Sequence, residues 1–167
     1  MTGVQTCALP IYYLRYGYVY LMKWKSEAFE KFKEFKAEVE NQLGKHIKAI
    51  RSDRGGKYLL GDFKDYLIEN RIVSQMTAPG TPQQNGVTER RNRTLLEMVR
   101  SMMSYLTLPI SFWGYALNTA MYLLNLVPSK YVPKTPVELW NGRKPSIRHL
   151  HIWGCPAHVL KGKFDKL

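Results

Sequence analysis

The chain has 167 residues, 45% of them hydrophobic and 13% aromatic, which excludes intrinsic disorder and suffices for one domain with its own core. Lys and Arg outnumber Asp and Glu by 25 to 13, a formal net charge of +12, so a polyanionic partner is expected, nucleic acid first. Two cysteines, Cys7 and Cys155, build no disulfide framework, and the longest apolar stretch, 112–127, is broken by Asn118, Thr119 and Asn125; the sequence predicts a reduced, intracellular protein without a membrane span.

Before Tyr12 the residues form no recognisable element. Tyr16–Met22 (YGYVYLM) is aromatic and β-branched and predicts a strand. Ser26 then offers an N-cap, with Glu27 and Glu30 in the first turn of a helix that runs to about Leu43. In that helix Phe29, Phe32, Val39 and Leu43 recur at helical spacing and Gly44 ends it. His46–Ile50 alternates as a short strand, Ser52–Gly56 is a turn at its carboxyl end, and Leu60, Phe63 and Leu67 suggest a short helix.

Arg71–Met76 is the next strand, and Ala78–Pro82 must be loop because two prolines and a glycine punctuate it. A long helix follows from about Gln84 to Tyr105. Val87, Arg91, Leu95, Met98, Met102 and Tyr105 share one stripe of it, while Glu89, Arg93, Leu96 and Arg100 share another. Pro109 separates it from an apolar helix, about Ser111 to Leu126. Beyond Pro128 the chain is basic, with eight Lys and Arg against two acidic residues, and one strand-like piece lies at His151–Trp153. Strands alternating with helices define an α/β layer structure.

Two carboxylates stand out. Asp53 follows a strand directly, and Glu89 lies in the first turn or two of a helix that leaves a loop. Singly, each is a common turn or helix-start residue. Together, with 35 residues between them, they can converge on one divalent metal. His149, His151, Cys155 and His158 match no standard zinc spacing and read as an ordinary strand and turn.

The segments Arg51–Tyr58 (RSDRGGKY) and Pro79–Leu95 (PGTPQQNGVTERRNRTL) resemble the catalytic core of copia-type LTR retrotransposon integrases. The likeness also takes in the Tyr16–Tyr20 strand, Phe112–Ala116 (FWGYA) and Trp153–Cys155, and extends over about residues 12–167. It implies an RNase H-like mixed sheet with flanking helices and a DDE triad that holds two magnesium or manganese ions. Asp53 would be the second acid and Glu89 the third. Arg90, Asn92 and Arg93 would contact DNA, both the ends of the element and its target, with Gly86 allowing close approach of the backbone to DNA. Such integrases are oligomeric and act in the nucleus. Lys57 departs from the family, which commonly has an acid there that is not a metal ligand.

The family's first acid lies on a strand upstream of an Asp-Asp-aromatic-Ser-Arg run, of which Arg15 matches the end and Leu14 replaces the serine; Tyr12 and Ile11 stand in place of its two acids, and no Asp or Glu precedes Glu27. The expected fold therefore lacks its first two strands, with an open edge beside the His46–Ile50 strand and a partly split sheet. Integration by this chain alone is not expected, and the alternative is a nucleic-acid-binding remnant without catalysis or a product with no selected function. Thr2–Ile11 (TGVQTCALPI) resembles the translation of a sequencing-library adapter, so residues 1–11 are expected to be a preparation scar that is not native and is left out of fold reasoning. The remainder divides into a partial core at 12–127 and a basic, proline-punctuated extension at 128–167.

Overall fold

The computed structural model describes residues 5–11, 14–52, 61–76, 86–106, 108–129 and 132–156, with only the backbone of 5–10. Strand β1 (Gln5–Pro10) pairs antiparallel with β2 (Gly17–Met22), from Gln5 opposite Met22 to Pro10 opposite Gly17. The absence of any recognisable element before Tyr12 is thus corrected. A ladder is made by main-chain groups, so an extended segment across a tight turn pairs whatever its side chains encode.

Helix α1 (Ala28–Leu43) buries Phe32, Phe35 and Val39, and Gly44 ends it in the left-handed region, at φ 60°, with its N–H on the Glu40 carbonyl. Ser26 is not the N-cap. A 3₁₀ turn, Lys25–Glu27, precedes α1, and the Glu27 carboxylate accepts from the backbone N–H groups of Lys23 (3.3 Å) and Trp24 (3.1 Å). Two carboxylate oxygens satisfy two free donors, where a serine hydroxyl would satisfy one.

Strand β3 (Ala49–Ser52) begins three residues later than its sequence pattern suggests, because Glu40 intervenes. Its carboxylate accepts the Ile47 N–H at 2.9 Å and also holds Lys36 Nζ at 3.0 Å and His46 Nδ1 at 3.3 Å, which takes Ile47 out of any ladder. Helix α2 (Asp62–Glu69) buries Phe63 and Leu67; Leu60 lies outside the described residues. Strand β4 (Val73–Met76) runs parallel to β3, Ala49 opposite Val73 and Ser52 opposite Met76. Arg71 and Ile72 stay out of β4 because they close α2, with Arg71 at φ 56° and the Ile72 N–H on the Leu67 carbonyl. Among the described residues the strands thus form two separate two-stranded sheets, the divided sheet that the motif reading implies.

Helix α3 (Gly86–Tyr105) packs on α4 (Trp113–Leu126), which a 3₁₀ turn at Ile110–Phe112 introduces. Ala116 and Ala120 are completely buried, and their lack of bulk lets the two helices approach around Leu95, Val99, Leu117 and Met121. Tyr105 departs from its stripe and is exposed, since the contacts of α3 with this cluster end at Met102 and Met103. His151–Trp153 forms no strand. Trp153 packs against the α3–α4 cluster, and Gly154 turns the chain at φ 81° against Leu106, so a packed ring takes the place of a ladder. Among the described residues no helix is long and apolar enough to cross a membrane.

The two faces of β2 serve two cores. Tyr16, Tyr18 and Tyr20 join the cluster of α1 and α2, while Val19 joins that of α3 and α4. A short helix, α5 (Pro136–Asn141), completes the first cluster. Its Trp140 stacks on Tyr16 at 4.8 Å and donates Nε1 to Gln42 Oε1 at 2.8 Å, the atom that also accepts the Tyr18 hydroxyl at 2.9 Å. Replacing this ring (Trp140→Ala) should lower unfolding free energy by about 3–5 kcal/mol in a denaturant titration.

Burial alone would raise the pKa of Glu40, yet the Ile47 N–H, Lys36 and His46 outweigh it and hold the carboxyl below its ordinary value. A depressed carboxylate stabilises the fold fully above the ordinary carboxylate range and ceases to do so as pH falls through its folded value. Urea midpoints should therefore drop between pH 7 and acid pH less steeply for Glu40→Gln than for the parent chain.

Candidate functional site

Glu89 sits in the first turn of α3, where the free N–H groups and macrodipole of the helix favour a carboxylate. It is exposed, and among the described residues it has no hydrogen-bond or ion-pair partner, so both of its oxygens are free. Asp53 lies outside the described residues, one position past the carboxyl end of β3; Lys57, Gln83, Gln84 and Asn85 lie outside them as well. The structure therefore fixes the element that leads into Asp53 and the helix that carries Glu89. Among the described residues no cluster of three or more His, Cys, Asp or Glu side chains could hold a metal. Glu89 alone offers hard oxygen donors of the kind that magnesium takes.

Arg90, Asn92 and Arg93 are exposed on α3. Arg93 follows Glu89 by one helical turn on the same face. Arg90 folds its Nε back onto the Gly86 carbonyl at 3.0 Å, which holds its guanidinium over the start of the helix. Gly86 opens α3, and a Cβ built there would meet nothing within 4 Å among the described residues. Among the described residues no arginine of α3 is in an ion pair; the ion pairs present belong to α1 and His46.

Arg91 turns the other way and builds what orients the helix. Its Nη2 donates to Asn125 Oδ1 at 2.7 Å, the same oxygen accepts the Gly17 N–H at 2.9 Å, and Asn125 Nδ2 returns a hydrogen bond to the Gly17 carbonyl at 2.9 Å. Asn125, 5% exposed, thereby joins the start of β2, the last turn of α4 and the first turns of α3. Gly17 is required by this approach, since a Cβ there would stand 2.8 Å from Met121 Sδ and 3.0 Å from Arg91 Nε. Burial, with the nearby Arg15 charge, pushes the Arg91 guanidinium below its ordinary pKa. Sequence reasoning put Arg91 on one stripe with Val87, Leu95 and Met98 and noted Asn125 only as a break in an apolar run. A polar residue at each of two core-facing positions was the available signal.

Removing the Asn125 amide (Asn125→Ala) strands both main-chain groups of Gly17 and frees Arg91, which should cost about 3 kcal/mol or more in chemical unfolding. Gly17→Ala should cost about 1–3 kcal/mol by overpacking, and pairing it with Met121→Ala should recover part of that loss in the same titration.

No family model matches the chain. Over 155 residues it is 44% identical to the retrovirus-related Pol polyprotein from transposon TNT 1-94 of Nicotiana tabacum, a match that covers 90% of this chain. The chain spans only 12% of the length of that relative. A chain of the simian T-cell lymphotropic virus intasome in complex with PP2A regulatory subunit B56 gamma superposes at a TM-score of 0.69, with 22% identity over 93% of this chain and 54% of that one. The HTLV-2 integrase catalytic core domain in complex with magnesium, in its dimeric form, superposes at a TM-score of 0.54, with 21% identity over 75% of this chain and 77% of that one. At these identities the two likenesses establish the fold.

Proposed function

Because this chain belongs to the retrovirus-related Pol polyproteins of transposons, with the fold of an integrase catalytic core, we propose that it is the part of a copia-type integrase that carries the second and third metal-binding acids and a DNA-contacting helix. One observation carries the reading. Glu89 stands exposed in the first turn of α3, without a partner among the described residues, one turn before the equally exposed Arg93.

Asp53 and Glu89 would hold magnesium or manganese together with a first acid supplied by residues outside the present sequence. When bound, the metal activates the attacking oxygen and stabilises the leaving one in displacement at a phosphodiester. The attacking oxygen is water in end processing and a DNA 3′-hydroxyl in strand transfer. The protein's own contribution is positional. Asn125 locks α3 onto β2, so Glu89 is presented from a helix whose rotation is fixed by a buried hydrogen-bond network. Arg90 and Arg93 would place phosphates beside that carboxylate, and Asn92 adds a neutral donor on the exposed side. The magnesium bound to the HTLV-2 core supports the choice of a hard divalent ion. The nucleus, where DNA ends and target meet, is the compartment this reading implies, and an oligomer its working state.

A second reading, nucleic-acid binding without catalysis, is favoured by the surplus of unpaired arginines on α3 and makes the discriminating experiment plain. In an integrase carrying this segment together with the family's first strand, Glu89→Gln or Asp53→Asn should reduce magnesium-dependent strand transfer by about 10³-fold, the equivalent of several kcal/mol of lost charge stabilisation. DNA affinity should stay within about twofold, because neither acid contacts phosphate except through the metal. Undiminished strand transfer by Glu89→Gln would remove Glu89 from the metal site, and DNA binding without strand transfer by the unsubstituted integrase would leave only the binding reading.

A further inference from the structure

We propose that Arg15 and Arg91 together form a phosphate-binding site for a nucleic-acid backbone, where the β1–β2 turn meets α3 and α4. The proposal rests on the nucleic-acid reading above and adds a contact that neither the motif nor the exposed face of α3 supplies.

The guanidinium of Arg91 is held by neutral groups alone, Asn125 Oδ1 at 2.7 Å and Met121 Sδ at 3.8 Å. Its Nε is buried beside Gly17 without an acceptor. Among the described residues its Nη1 makes no hydrogen bond and is not fully buried, so one nitrogen of the locked side chain is left for a ligand. Among the described residues no carboxylate pairs with it.

Arg15 lies two residues before Gly17, whose main chain Asn125 clamps. The turn that carries it is closed by the Arg15 N–H on the Ile11 carbonyl and the Ile11 N–H on the Tyr16 carbonyl, each at 2.8 Å. Arg15 sits in the left-handed region at φ 57°, a costly conformation for a side-chain-bearing residue and one concentrated at ligand clamps. Its side chain makes no hydrogen bond. Arg15 also lies near enough to depress the ionisation of Arg91.

Two guanidinium groups in each other's field, both half-buried and neither paired with a carboxylate among the described residues, are an unfavourable arrangement that a bridging anion relieves. A phosphodiester fits better than a carboxylate. The planar donors of Arg suit phosphate oxygens, and with a net charge of +12 the chain attracts a polyanion over a single acidic side chain. The Asn125 bond fixes the orientation of Arg91 in advance, so little side-chain freedom is lost on binding.

The test measures binding of the full chain to mixed-sequence duplex DNA as a function of potassium chloride concentration. Arg15→Gln removes one phosphate contact, so the log–log salt slope should become shallower by about 0.9 and affinity at 0.1 M salt should fall about eightfold, equally for all sequences. Arg91→Gln should do the same wherever its melt stays cooperative; if that variant unfolds, Arg15→Gln alone decides, since its side chain makes no hydrogen bond or ion pair among the described residues. An unchanged slope for Arg15→Gln, with a shallower one for Arg93→Gln, would overturn the site and leave the nucleic-acid reading standing. Absence of salt-dependent binding by the parent chain would remove both.

Discussion

One buried amide governs this fold. Asn125 receives the Gly17 N–H and the Arg91 guanidinium on a single oxygen and returns its own N–H to the Gly17 carbonyl. Every polar group it meets would otherwise face an apolar core, where an unmade hydrogen bond costs more than a made one contributes. The amide can donate and accept at once, and an aliphatic or carboxylate side chain at that position could not do both. The arrangement in turn dictates glycine at 17, because only a residue without a Cβ admits Arg91 and Met121 so closely.

From that lock the layers follow. β2 sends Tyr16, Tyr18 and Tyr20 to the cluster of α1, α2 and α5, and sends Val19 to the cluster of α3 and α4. A strand shared by two cores couples them mechanically, so the helix that carries Glu89 is referred to the same frame as Trp140 and Gln42 on the far side of the sheet. On the other flank, Glu40 gathers Lys36, His46 and the Ile47 N–H and thereby sets where β3 begins, four residues before Asp53. The two candidate acids are thus approached by different devices: an uncharged amide for the helix, an ion cluster for the strand.

What the sequence disclosed and what it hid divide along the range of the interactions. The alternation of Tyr16–Met22 and the helical spacing of Phe29, Phe32 and Val39 are local, and both elements are legible. The position of Glu89 at a helix start was equally readable, since helix termini choose their residues from neighbours a few positions away. β3 was misplaced because a carboxylate seven residues earlier takes the Ile47 N–H, a competition that no periodicity reports. Ser26 looked like a cap because single-residue preference ranks serine high, while Glu27 had the reach to satisfy two donors. Trp153 read as strand and serves as packing, for its ring found the α3–α4 cluster and no neighbouring strand. The role of Asn125 could not be read locally at all, since its partners lie on two other elements.

The hydrogen bonds between Gly17 and Asn125 span 108 residues of chain. Closing so long a loop is entropically expensive, and contacts of that separation form only after nearer ones have shortened the path. Helices α3 and α4, joined by a short connection, can associate through Leu95, Val99 and Ala120 before β2 arrives. During that interval Asn125 has Arg91 of α3 within reach but lacks the main chain of Gly17. Seating Gly17 closes the amide's remaining hydrogen bonds and completes the network that fixes the rotation of the helix bearing Glu89.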